Sequence, residues 1–108
     1  MEAWEFSDIE AARDVSGNLY HEFMRVPDLS AGIYVLEPGA SDPQSPHTED
    51  ELYYVVAGRA IVTVGAETRP VVPGSVVFVG AAVPHRFHDI AERLELLVVF
   101  GPAEGDRA

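Results

Sequence analysis

Hydrophobic and polar residues alternate along most of the chain, and glycine or proline interrupts the alternation every few residues. A period of two marks a strand with one buried face, and such runs bounded by turn residues are strand candidates. The candidates are Leu19–Val26, Ala31–Glu37, Glu51–Val56, Ala60–Val64, Thr68–Val72, Val76–Val79, His85–Asp89 and Leu94–Phe100. Pro27–Ser30, Ala57-Gly58-Arg59, Gly65-Ala66-Glu67 and Pro73–Ser75 read as turns between them, and Pro38–Pro46, with its three prolines, reads as a loop. Only the N-terminus departs from this pattern. Ser7-Asp8-Ile9-Glu10 resembles a capping box and predicts one or two helical turns through Arg13, ended by Ser16-Gly17-Asn18. Short strands at even spacing predict an all-β sandwich or jelly-roll barrel. The expected organisation is a helix and strand over residues 1–28, a candidate dimer arm. A barrel over 29–101 and a flexible tail over 102–108 follow.

Composition narrows the chemistry. At 108 residues, with 47% hydrophobic, the chain is one domain able to bury a core. It has no cysteine, which excludes disulfides, thiolate metal sites and thiol nucleophiles. All seven basic residues are arginine, so Schiff-base chemistry and a phosphate-loop lysine are excluded too. The net charge of −11 repels phosphate backbones and anionic lipid, which disfavours nucleic-acid and membrane partners. No run approaches the ~18 apolar residues of a membrane span. The chain reads as cytoplasmic.

Three polar residues beside the strands carry candidate chemistry. His47 and Glu51 are four apart, a spacing that shares a face in a strand, and Tyr53 and Val55 continue that face. His85, Phe87 and Asp89 share a face of another strand, with Arg86 and His88 opposite. Two imidazoles and a carboxylate on one metal leave coordination positions open, as a reactive site requires. Tyr53 is a candidate hydrogen-bond donor or general acid, Phe87 a pocket wall, and Asp89 either an acceptor for an imidazole N–H or simply the turn residue before Ile90. The bland alternative is a solvated acidic loop with surface histidines.

The spacing of these residues is similar to a known family. Gly39, five residues, Ser45-Pro46-His47, three residues, Glu51, six residues, Gly58 follows the first cupin motif. Gly74, five residues, Gly80-Ala81-Ala82, two residues, His85, three residues, Asp89 follows the second. From Leu29 to Phe100 the chain resembles a small single-domain cupin. The resemblance implies a jelly-roll cupin barrel, a homodimer, and one divalent metal (Zn, Mn, Fe, Ni or Cu) held by His47, Glu51 and His85. The family places a further histidine at position 45, where this chain has serine. Ser45 itself and Gln44 are candidate extra ligands, Asp42 and His88 weaker ones, although regular alternation would turn Gln44 away. Imidazoles bind metal only when neutral, so metal would leave as pH falls through the histidine range. The implied function is a metal-dependent oxygenase or isomerase acting on a small polar metabolite. The alternatives are a non-catalytic module that binds a small ligand, with or without metal, and a scaffold with a vestigial pocket.

Overall fold

The computed structural model describes residues 1–44 and 46–105. It contains one helix, α1 (Phe6–Ser16), and six strands: β1 (Tyr20–Val26), β2 (Leu29–Leu36), β3 (Asp50–Val64), β4 (Glu67–Val71), β5 (Val76–Val79) and β6 (His85–Gly101). No helix among the described residues is long and apolar enough to cross a membrane.

α1 is longer than the one or two turns expected. It starts at Glu5 with no side-chain cap, so Ser7 lies inside the first turn and the anticipated capping box is not made. Packing supplies what the cap does not: Ile9 is buried against Ile33 and Val35, with Phe6 and Phe23 alongside. The helix ends as predicted, at Gly17, which takes a left-handed conformation (φ 70°) and donates its N–H to the Arg13 carbonyl. Since α1 covers the outer face of β2, residues 30–36 are buried on both faces.

All strand pairs are antiparallel. The order is β1-β2-β6-β3-β4, with β5 on the other edge of the first half of β3. This order has two ends, so the hydrogen-bonded sheet is not closed. The core between its inward faces contains Tyr34, Leu36, Tyr53, Val55, Val62, Phe87, Leu94, Leu96, Val98 and Phe100.

One predicted turn is absent, and one gap between strand candidates is filled. Ala57-Gly58-Arg59 does not reverse the chain: β3 runs through it, and so does β6 through Asp89 to Arg93. Gly58 is a bulge residue instead. Its φ is 93°, the β3–β6 register shifts on both sides of it, and a Cβ there would lie 2.1 Å from the Arg93 carbonyl oxygen. The bulge re-aims both halves of β3. A straight strand would separate positions 51 and 64 by about 43 Å. His85 pairs with Val64, yet its side chain reaches Glu51. The sheet is therefore strongly curved, and the curvature assembles the site.

Candidate metal centre

Glu51 enters the interior from the start of β3. Glu51, Tyr53 and Val55 are buried while Leu52 and Tyr54 are exposed, the alternation expected from sequence. His85 and Phe87 enter from the start of β6, and Arg86 points outward. His47 comes from the loop before β3, where the Ala82 N–H binds its carbonyl at 2.6 Å. Ligating atoms of His47, Glu51 and His85 all lie within 4.8 Å of one another. Glu51 Oε1 is 3.4 Å from His85 Nε2 and 3.8 Å from His47 Nε2. Ligands about 2.1 Å from a shared ion lie about 3.0 Å apart at right angles and 3.4 Å apart at tetrahedral ones. The two Glu51–histidine separations thus come within a few tenths of an ångström of metal-ligand spacing, and the remaining pair, His47 and His85, lies within 4.8 Å.

The proton inventory points the same way. His85 Nδ1 stands 2.9 Å from the Val83 carbonyl oxygen, which accepts only if Nδ1 carries the proton, so in the neutral ring the lone pair is on Nε2. Tyr53 has one hydroxyl proton and meets three acceptors: the Glu51 carboxylate, Gln44 Oε1 at 2.9 Å and His85 Nε2 at 3.1 Å. A buried cluster with more lone pairs than protons favours a cation at its centre. Burial alone would lower the His85 pKa, but the Glu51 carboxylate and the Val83 carbonyl outweigh it and raise the pKa above its ordinary value. Burial, then the Glu51 charge, push the Tyr53 phenol far up, so it keeps its proton.

Gln44 faces the cluster, contrary to the alternation argument. It lies in a loop outside any strand, where the two-residue period does not operate. Its Oε1 is 3.4 Å from His47 Nε2. Ser45, the other extra-ligand candidate, lies outside the described residues. Asp89 is corrected. Its left-handed backbone (φ 49°) turns it out, and its carboxylate meets His88 Nδ1 at 2.6 Å rather than a ring of the cluster. His88 is likewise remote from the site, bonded through Nε2 to Thr63 at 2.7 Å.

Sequence reasoning missed two groups. One is the role of Asp42 beneath Gln44. The other is Glu104, which falls within the expected flexible tail. At residues 102–105 the chain crosses back over β1 and β2. Ala103 is fully buried and its N–H binds the Pro27 carbonyl, while Glu104 N–H binds Ser30 Oγ at 2.9 Å. Glu104 Oε2 then stands 3.3 Å from His47 Nδ1, while Phe100 packs edge-on against that ring, centroids 5.0 Å apart. No motif or period marks Glu104.

Two hollows flank the cluster. On the His47 side a cavity of about 100 Å³ is lined by Tyr20, Tyr34, Val98, Phe100 and Glu104. The Tyr20 hydroxyl there is buried and has no hydrogen-bond partner among the described residues. On the His85 side a more open cleft of about 310 Å³ is lined by Gln44, Pro46, Thr63, Pro84 and Arg86.

A model of the cupin domain family matches residues 32–100 of this sequence. The chain belongs to the cupin family. An uncharacterized protein of Streptomyces coelicolor is 48% identical to this cupin over 104 residues, 96% of this chain and 99% of that one. Among solved structures, TT1209 of Thermus thermophilus superposes with a TM-score of 0.73 at 23% identity, covering 95% of this cupin and 99% of that chain. At that identity the likeness is one of fold. The DMSP lyase DddQ of Ruegeria pomeroyi has a TM-score of 0.66 at 26% identity, and the match covers 70% of this cupin and 39% of that longer chain.

Proposed function

We propose that this cupin holds one divalent metal ion on His47, Glu51 and His85 within a jelly-roll scaffold, and acts on a small polar metabolite by isomerase or oxygenase chemistry. The observation that carries the reading is the convergence of two imidazole nitrogens and a buried carboxylate in an acceptor-rich cluster open to a cleft. A bound divalent cation supplies Lewis-acid polarisation of a ligand oxygen. The chain supplies the rest. Tyr53 keeps a proton on its hydroxyl 3.1 Å from His85 Nε2, placed to hydrogen-bond a ligand oxygen beside the ion. Arg86 lines the cleft and forms no ion pair with an acidic side chain among the described residues, which favours an anionic group on the metabolite. That a DMSP lyase shares the fold supports an enzyme over an inert scaffold.

Metal analysis of untagged protein tests the reading. About one ion per chain is expected, lost in His47→Ala and His85→Ala. Sub-stoichiometric metal that neither substitution changes would sink it. A second reading, a non-catalytic binding module, draws on the unpartnered Tyr20 hydroxyl, a ready anchor for a ligand with or without metal. Turnover or oxygen uptake with a panel of small carboxylic acids favours the enzyme. Saturable binding of those acids without turnover favours the module.

A further inference from the structure

We infer that Gln44 supplies a fourth protein ligand through Oε1 and that Asp42 is the positioning residue that aims it. The inference rests on the metal reading above. It explains how a chain with serine at position 45 completes a centre that has only two imidazoles.

The geometry starts with Asp42. It accepts four hydrogen bonds: Tyr34 Oη at 2.6 Å and Gln44 N at 3.1 Å on Oδ1, Gln44 Nε2 and Phe87 N at 2.9 Å on Oδ2. Three of these donors come from outside the Gln44 side chain: a tyrosine on β2, a backbone N–H on β6 and the Gln44 backbone. The carboxylate is therefore fixed before it meets the amide. Its fourth bond decides the amide's orientation. A carboxylate accepts from an NH₂ and repels a carbonyl oxygen, so Nε2 must face Asp42 and Oε1 must face away from it. Away from Asp42 lies the cluster, with Oε1 3.4 Å from His47 Nε2 and 2.9 Å from the Tyr53 hydroxyl. That hydroxyl also bonds Glu51 and His85, so Gln44 Oε1 shares a hub with two of the three expected ligands. An amide oxygen is a neutral, hard donor that suits divalent ions. The family would supply a third imidazole at position 45, where this chain has serine. Here a loop residue, freed from alternation, reaches the same centre.

The experiment compares zinc affinity, by competition with a chromogenic chelator, and the cobalt(II) absorption spectrum in four full-length proteins. These are wild type, Gln44→Met, Asp42→Asn and the double variant. Gln44→Met keeps the side chain's volume and removes the oxygen donor. It is expected to weaken zinc binding about tenfold or more and to alter the cobalt bands. Asp42→Asn is expected to weaken binding in the wild-type background by freeing the amide to turn. In the Gln44→Met background it is expected to change nothing, because no amide is left to orient. A purely structural Asp42 would lower affinity equally in both backgrounds, and that result would overturn the positioning role. Wild-type zinc affinity and an unchanged cobalt spectrum in Gln44→Met would overturn the ligand while leaving the three-residue metal reading intact. A wild-type chain that bound neither ion would remove both.

Discussion

At the scale of single residues, the site is arranged by groups standing behind the candidate ligands. His85 is held by a backbone carbonyl at Nδ1, an arrangement that comes with the start of β6. His47 sits on a loop and has no such carbonyl; the group at its Nδ1 is the Glu104 carboxylate, 3.3 Å away. A carboxylate behind a ligating imidazole orients the ring and raises its basicity. Glu104→Ala is expected to lower zinc affinity about tenfold while the melting temperature changes little. The segment stays anchored because its other contacts run through the Ala103 and Glu104 main chain. Chelator competition and a thermal melt check the two halves of this expectation, and unchanged affinity would remove Glu104 from the site. His47, Glu51, Tyr53, His85 and Phe87 are legible in the sequence because strand parity and motif spacing are local properties. Glu104 is not, because it acts on a residue across the fold; the positioning role of Asp42, weighed in the sequence only as a weaker ligand, is not either, because the Tyr34 hydroxyl and Phe87 N–H that hold its carboxylate come from other strands. Asp89 is misplaced by parity for a related reason: parity extrapolates a regular strand through a residue that leaves the extended region.

The elements are nearly all legible, with errors at two points of one kind. Val76–Val79 matches its expected bounds, and β1, β2 and β4 differ from theirs by one or two residues. The sequence pattern cuts β3 and β6 each in two, at Gly58 and at the stretch after Asp89. A glycine between two apolar runs is compatible with a reversal and with a bulge, and nothing local separates them. What decides is the partner strand: Arg93 packs so close to Gly58 that no side chain fits. Gly58→Ala combines a left-handed φ with a backbone collision and is expected to destabilise the fold by at least about 2 kcal/mol. Urea unfolding measures it, and a variant as stable as wild type would show that the bulge is not fixed. The same bulge curves β3, so partly folded variants are also expected to lose metal.

For the whole molecule, a buried carboxyl between helix and sheet makes stability depend on pH. Glu95 on β6 is only 5% exposed, and the Glu10 carboxyl of α1 acts on it. Burial first, then the Glu10 carboxyl, raise its pKa to about 7, with Asp14 adding to the rise and Arg93, 3.7 Å away, opposing it. In the unfolded chain the group titrates near 4.5, so between these two values the folded chain holds a proton that the unfolded chain has released. This group's contribution to stability therefore falls as pH rises through that window and levels off above it. Wild type is expected to lose stability from about pH 5 to about pH 8, and Glu95→Gln to show a smaller loss. Denaturant titrations at the two pH values decide it, and equal losses in the two proteins would refute the proton held at Glu95.

The sequence by itself determined that this is a β-rich cupin, which faces of its strands are buried, and which two histidines and one glutamate belong together. Those properties follow from period-two alternation and from motif spacing, both of which are written along the chain. Only the tertiary structure decided that β3 and β6 run unbroken through their irregular points, that Gln44 turns inward under Asp42, and that Glu104 reaches His47. Each of those depends on atoms brought together by the curvature of the sheet. That curvature is set where Gly58 meets the backbone of a strand more than thirty residues away.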